Sequence, residues 1–194
     1  MTPPTLTLGL DLGALGDHAA AVLVRRLELD VGYEVPALKQ WQLGTPYPEV
    51  VRTVCSWLDR PDMAGCLLVC EQNGVGQPVI DQFVEAKVKR LVRIVTTGGQ
   101  AVTRGRDRSR HVPKKDLVGQ LQSLLGHRRL KIGANLPQAA TLKKELEVFQ
   151  MKVSQAGNEL FNAAGRYHDD ICMSLCMALW TAEKVQPWRH ARLG

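Results

Sequence analysis

The run CLLVCE, residues 66–71, is short and almost continuously apolar, and the segment QNGVGQ ends it. Such a run is typical of a strand that is covered on both faces of a sheet. A helical pattern over residues 78–89 and a second apolar run over residues 91–97 follow it. This strand–helix–strand order favours parallel pairing, and it therefore predicts an α/β fold.

The segments before this run have a different pattern. Residues 6–12 and 19–29 read as two strands joined by a short turn, and residues 36–43 offer a third strand. Together they predict an antiparallel meander, to which the later strands add a parallel portion. Apolar residues at helical spacing behind Pro48 predict a helix over residues 48–60.

The second half of the chain is predicted to be mainly helical. Residues 98–112 have no apolar period and indicate a mobile loop or a hairpin. The remaining elements are predicted to be helices over residues 113–127 and 137–151, a small hairpin over 152–163, a final helix over 167–184 and a frayed tail over 187–194. We expect one domain spanning residues 1–194.

Composition indicates a soluble globular protein with an acidic partner. The 194 residues are 45% hydrophobic and 23% charged, which argues against disorder, and the net charge is +6. A basic balance favours nucleic acid, although a solvated basic surface gives the same count. The sequence contains no signal peptide or membrane-span pattern, so we expect a cytoplasmic protein with no membrane partner. The five cysteines are interpreted as buried small hydrophobic residues rather than as a zinc site.

Four carboxylates lie at predicted strand ends or at the start of a predicted helix, which are common positions for catalytic or ligand-binding residues. Asp11 and Glu71 each end a predicted strand, and Asp169 and Asp170 open the most apolar helix. Each also has an ordinary structural interpretation as a turn former, a solvated strand end or a helix cap. If all four converge, their oxygen-only chemistry favours Mg²⁺ or Mn²⁺ over Zn²⁺. Two such ions can support phosphodiester hydrolysis, and they would also relieve the repulsion between adjacent carboxylates.

These motifs, in this order, resemble the nuclease domain of the phage large terminase subunit, a member of the RNase H-like, integrase-like superfamily. The segments that carry the resemblance cover nearly the whole chain: GLDLGALGDHAAAVLV, CEQNGVGQPVIDQF, VPKKDLVGQLQSLL, LKIGANLPQAATLKKELEVFQ and YHDDICMSLCMALW. The resemblance implies a mixed five-stranded central sheet flanked by helices. It also implies a DNA endonuclease that uses two Mg²⁺ or Mn²⁺ ions. Asp11, Glu71 and Asp170 match the family's metal-binding acids, and Asp169 is the accessory acid.

One departure from the family limits what the resemblance implies. Large terminases place an ATPase ahead of the nuclease, whereas this sequence contains no Gly-x-x-x-x-Gly-Lys-Ser/Thr loop. A packaging role would therefore require a separate ATPase or portal-like partner. The chain could equally be a free-standing enzyme, a split-gene product or a prophage remnant.

A basic segment supports DNA as the partner. It contains Arg104, Arg106, Arg108, Arg110, Lys114 and Lys115, with Asp107 as the opposing charge. Arginines at alternate positions would point to one side of an extended strand and could follow a phosphate backbone. A solvated charge run is the alternative.

Four further residues are accessory candidates. Asp17 and His18 follow Asp11 across a turn, Asn73 follows Glu71, and His168 precedes the paired acids. Ordinary turn chemistry or capping is the competing interpretation of each.

Two alternative functions remain at this point. The same fold could cleave branched DNA junctions or RNA–DNA hybrids. A chain of another class, a non-catalytic nucleic-acid-binding module, would retain these acids as structural caps. Specific Mn²⁺ binding would separate the enzymes from this module.

Overall fold

The computed structural model describes residues 6–13, 17–27, 32–74, 76–155 and 169–185, with the helical backbone alone over residues 149–155. Within these ranges the strands are β1 (Leu6–Asp11), β2 (Ala20–Leu27), β3 (Gly32–Gln40), β4 (Leu67–Glu71), β5 (Leu91–Thr97), β6 (Thr103–Arg104), β7 (Arg110–Pro113) and β8 (Leu130–Ile132). The α-helices are α1 (Tyr47–Leu58), α2 (Gly76–Glu85), α3 (Lys114–Gly126), α4 (Ala139–Gln155) and α5 (Asp170–Lys184).

All eight strands form one mixed sheet in the order β6-β7-β5-β4-β1-β2-β3-β8. The antiparallel meander β1–β2–β3 and the parallel pairing of β1, β4 and β5 match the sequence prediction. The five central strands are those expected, and β7, β6 and β8 extend the sheet at its two edges. Residues 98–112 contribute to the β6–β7 hairpin, which was one of the two structures predicted for them.

Alternating side chains divide the core between the two faces of the sheet. Val22, Val69 and Ile94 pack with α3, α4 and α5 on one face. Leu10 and Leu68 pack with α1 and α2 on the other. Because β1 and β4 are in register, residues of the same parity on these strands share a face.

Helix α5 lies directly on the sheet and is buried all round from Asp170 to Ala182. It reaches β1 closely at Gly9, where an added Cβ would overlap the carbonyl oxygen of Ser174 and lie 3.1 Å from Cβ of Ala178. The Ser174 hydroxyl donates to the Ala20 carbonyl (2.7 Å) and accepts from the Asp11 amide (3.1 Å). One helical side chain thus binds two neighbouring strands.

The structure differs from the sequence prediction in several local features. Strand β3 begins at Gly32, four residues earlier than expected, and β8 was not anticipated. Helix α4 continues through Gln155, so the first residues of the predicted hairpin 152–163 are helical. The rest of that hairpin and the tail 187–194 lie outside the described residues.

Two further expectations concern the cysteines and the membrane. Cys66, Cys70, Cys172 and Cys176 are buried free thiols and Cys55 is partly buried, as expected of small hydrophobic residues. In the described ranges, no helix has the length and apolar character that a membrane crossing requires.

We expect Gly9→Ala to destabilise the protein by about 1–3 kcal/mol or more, because the new methyl group meets helical backbone that cannot rotate away. Gly119→Ala is the matched control, since Gly119 lies in α3 with open space around it. The control should gain about 0.5–1 kcal/mol from the better helix former. Urea unfolding measures both, and equal midpoints for Gly9→Ala and wild type would contradict the close contact.

Candidate metal centre at the carboxyl end of the sheet

Asp11 and Glu71 end the two central parallel strands side by side. Leu10 pairs with Cys70 in the β1–β4 ladder, and Asp11 and Glu71 continue that register. Neighbouring strands lie about 4.8 Å apart. Side chains alternate between the two faces of a strand, so Glu71 lies on the same face as Val69, which packs against α5. Asp11 is in register with Glu71 and lies on that face too. The sheet therefore brings these two acids together beneath the helix.

Asp170 and Asp169 arrive at the same place from α5. Asp170 is the first residue of the helix and is only 4% exposed, and Asp169 is the N-cap residue. Burial raises the pKa of Asp11 well above its usual range, and the charges of Glu71, Asp170 and, more weakly, Asp169 raise it further. The four predicted acids therefore interact electrostatically at one end of the sheet.

The cap interpretation does not account for Asp169. Although Asp169 occupies the N-cap position, its side chain makes no capping hydrogen bond. Instead its carboxylate lies 3.6 Å from Nζ of Lys114. Asp170 accepts a hydrogen bond at Oδ2 from the backbone N–H of His18 (3.2 Å).

The acceptor for the first turn of α5 comes from another helix, and the sequence analysis missed it. Oε2 of Glu145, on α4, accepts from the backbone N–H of Cys172 at 2.8 Å. Burial raises the pKa of Glu145 to about 8, with smaller contributions from the charges of Asp170 and Asp169. The available signal was a glutamate between Leu142 and Leu146, on the apolar stripe of its helix.

The accessory candidates have different environments. Asn73 donates from Nδ2 to Oε1 of Glu71 (3.0 Å) and to the Thr96 carbonyl (2.8 Å), so it orients the glutamate. The Nδ1 atom of His18 lies 2.9 Å from the Trp41 carbonyl, and its amide reaches Asp170. Asp17 is exposed, and His168 lies outside the described residues.

Two of the predicted basic residues share a row of the sheet with the acids. Ladder partners run from Glu71 to Ile94, from Ile94 to Arg110 and from Arg110 to Arg104. Because Ile94 packs towards α5, Arg110 and Arg104 lie on the same face as the acids. Arg110 is two strands from Glu71, which is about 10 Å.

The expectation of arginines along one extended strand is wrong. The chain reverses between Arg104 and Arg110, and this places Arg106 and Arg108 in the connecting turn, where both are exposed. Arg108 has a positive φ of 67°. At the start of α3, Lys114 lies beside Asp169 and Lys115 beside Gln100. Lys114 therefore has an acidic neighbour that compensates for its place in a first helical turn.

Asp107, the acid within the basic segment, ties the hairpin to the end of β4. Its carboxylate accepts from Gln72 Nε2 (2.7 Å) and from the Ser109 hydroxyl (2.6 Å), and it lies 3.8 Å from Arg93. The Ser109 and Gln72 hydrogen bonds hold the pKa of Asp107 well below its usual range. Gln72 directly follows Glu71, so the hairpin is attached next to the acid cluster.

The carboxylate oxygens at this end of the sheet are suitable ligands for hard divalent cations. Among the described residues, no three His, Cys, Asp or Glu side chains are already arranged to hold a metal ion. The converging side chains are carboxylates, which Mg²⁺ and Mn²⁺ prefer. A cation would also offset the burial and repulsion that raise the pKa of Asp11.

Comparison with known proteins finds similarity in three dimensions and not in sequence. No protein-family model matches the chain, and no curated protein sequence matches it at a significant level. The large terminase nuclease of the thermophilic phage G20c superposes with a TM-score of 0.62 at 21% identity, covering 89% of this chain and 80% of that one. The human cytomegalovirus terminase nuclease domain, soaked with Mn and inhibitor-bound, superposes with a TM-score of 0.55 at 13% identity, covering 93% and 84%.

A further structure of the cytomegalovirus domain gives a TM-score of 0.53 at 13% identity, over 95% of this chain and 85% of that one. At these identities the likeness concerns the fold. It confirms the predicted fold class, and the three additional edge strands do not alter the central sheet. The chain has the RNase H-like α/β fold of phage and viral large terminase nuclease domains.

Proposed function

We propose that this protein is a metal-dependent DNA endonuclease of the terminase nuclease type. The observation that carries the proposal is the convergence of Asp11, Glu71 and Asp170 on one face at the carboxyl end of the sheet. Carboxylates crowded beneath a buried helix cost free energy unless a cation neutralises them. The cytomegalovirus domain of the same fold was soaked with Mn, which is consistent with divalent metal chemistry on this scaffold.

Each acid has a distinct role in the proposal. Asp11, Glu71 and Asp170 would hold two Mg²⁺ or Mn²⁺ ions, and Asp169 would assist. Such a pair of ions supplies an activated water and stabilises the leaving oxygen of a phosphodiester. Asn73 fixes the orientation of Glu71 through its hydrogen bond to Oε1. As the family resemblance implies, the products would carry 5′-phosphate and 3′-hydroxyl ends.

The row of ladder partners supplies a path for DNA. Arg110 and Arg104 extend from the acids across the same face of the sheet, and among the described residues neither forms a salt bridge with a carboxylate. Their cross-strand placement puts two like charges opposite each other, which is unfavourable unless an anion lies between or beside them. Phosphates of a bound strand fit this requirement. Arg106, Arg108, Lys114 and Lys115 would add contacts around this path.

More specifically, we propose that the nuclease takes part in DNA packaging. In that role a separate ATPase or portal-like partner would act with the nuclease. Branched DNA and RNA–DNA hybrids are the alternative substrates. A cleavage assay with supercoiled, linear, branched and hybrid substrates separates these, because each alternative predicts a different preferred substrate.

We expect Asp11→Asn and Asp170→Asn to abolish Mg²⁺- or Mn²⁺-dependent cleavage while the fold remains. Added Mn²⁺ should raise the melting temperature of the wild type and leave that of both variants unchanged, because only the native site binds the ion. Asp62→Asn is the control, since Asp62 pairs with Arg60 on an exposed surface away from the acids. Equal cleavage by wild type and both variants would show that the activity belongs to a contaminant.

In metal-free buffer, Asp11→Asn should be more stable than the wild type. Burial and neighbouring charges raise the folded-state pKa of Asp11, so its ionised form opposes folding. The advantage of the variant should grow as pH rises above about 4, the unfolded pKa of aspartate, and disappear below it. Melting curves from pH 4 to pH 8 measure the difference, and a constant difference would contradict the crowding of charges.

We expect Arg106→Ala with Arg108→Ala to flatten the slope of log affinity for duplex DNA against log salt by up to about 1.8, because each neutralised phosphate contributes about 0.9. Cleavage at saturating DNA should change little, since in the proposal these side chains position the substrate and do not activate water. Binding is measured in metal-free buffer across a salt series.

The control for that measurement removes two exposed cations elsewhere. Arg52 lies on α1 and Lys89 precedes β5, so both are remote from the row of acids and arginines. Arg52→Ala with Lys89→Ala should leave the slope unchanged. If the hairpin variant also leaves it unchanged, the hairpin arginines form a solvated surface and DNA follows another path.

A further inference from the structure

Glu145 occupies a position where its helix should carry an apolar side chain. It lies on α4 three residues after Leu142, which is buried in the core, and next to Leu146, which packs against that core. Glu145 itself is only 8% exposed. A buried carboxylate costs free energy unless hydrogen bonds compensate for the lost water, so its presence calls for a specific partner.

That partner is the first turn of α5. With Asp169 as the N-cap and Asp170 as the first helical residue, Cys172 is the third, and its N–H is one of the donors that helix geometry leaves without an intrahelical acceptor. An N-cap side chain normally accepts from this position. Here Oε2 of Glu145 accepts from it at 2.8 Å. A side chain of α4 therefore caps the first turn of α5, whereas the N-cap residue Asp169 does not.

We propose that Glu145 is a positioning residue for the metal site: by capping α5 from α4, it keeps the Asp169 carboxylate off the helix amides and holds Asp170 in place above β1. The inference rests on the proposed function, since it presumes that these acids bind metal. Without Glu145, the Asp169 side chain would be the nearest replacement cap for Cys172. An acid engaged by the helix amides is a weaker metal ligand, so metal affinity should fall.

The two oxygens of Glu145 suggest the variants. Oε2 accepts from Cys172, while Oε1 has no hydrogen-bond partner among the described residues. Glutamine keeps an oxygen acceptor and should preserve the cap. Leucine fills the same apolar site and removes the acceptor. Glu147→Leu is the matched control, because Glu147 is exposed on the same helix and pairs with Lys143 at 3.8 Å.

The experiment measures Mn²⁺ binding by electron paramagnetic resonance and the metal dependence of cleavage for the whole chain. We expect Glu145→Leu to weaken Mn²⁺ binding about 10–100-fold, the usual loss when a residue that orients a ligand is removed. Saturating Mn²⁺ should restore most of its kcat, and Glu145→Gln and Glu147→Leu should bind as the wild type does. Melting curves in metal-free buffer verify that each variant is folded.

The outcomes separate the two proposals. A wild type that binds no Mn²⁺ contradicts the proposed function itself. A wild type that binds Mn²⁺ with the same affinity as a folded Glu145→Leu contradicts the positioning role alone. Loss of binding in Glu145→Gln equal to that in Asp170→Asn would make Glu145 a metal ligand and would also overturn the positioning role.

A measurement on the wild type covers the case in which Glu145→Leu does not fold. The Cys172 amide proton should keep the chemical shift of a hydrogen-bonded donor when Mg²⁺ is added, because Glu145 stays on the helix. An upfield shift on Mg²⁺ addition, towards that of a donor without an acceptor, would mean that Glu145 leaves α5 for the ion. That result would overturn the proposal.

Discussion

The close contact between β1 and α5 determines the geometry of the rest of the molecule. Gly9 lets the helix backbone approach the strand, and the Ser174 hydroxyl then binds both β1 and β2. Asp170 precedes Ser174 by four residues, which is about 6 Å along a helix. The contact in the middle of the sheet therefore sets the distance of Asp170 from Asp11, the last residue of the strand.

Electrostatic crowding at this end of the sheet follows from the topology. Parallel in-register strands must present Asp11 and Glu71 together, and the helix that covers them begins with two more acids. The surrounding structure stabilises each acid individually: Gly13 donates to Asp11, Asn73 to Glu71 and the His18 amide to Asp170. None of these neutral donors supplies positive charge. Lys114 does, but it lies beside Asp169 at the edge of the cluster.

Much of this arrangement was predictable because it depends on local patterns. Apolar runs and breakers located the central strands, and β5 has the predicted bounds. The position of each acid at a strand end or helix start was also visible in the sequence.

The edge strand β8 was not predictable from the sequence. Its three residues are too few to show an apolar pattern, and they form a strand because they pair with β3. A hairpin was one of the two structures predicted for residues 98–112, but the placement of its arginines was wrong. Alternating arginines fit an extended strand, whereas here the chain reverses between Arg104 and Arg110, and Asp107 binds Gln72 and Ser109 in the turn. Glu145 could be seen as unusual, but its partner lies 27 residues away in the chain.

The contact between β1 and α5 also has a consequence for the order in which the protein can fold. Asp11 and Ser174 are separated by 163 positions in the chain. Until α5 has been synthesised and packs on the sheet, the face of β1 and β2 that it covers, which includes Val22 and Val24, remains exposed. Contacts at such separations slow folding and lengthen the time that apolar surface is accessible to other chains. The apolar face of β1 and β2 is therefore protected from other chains only once α5 has packed on it.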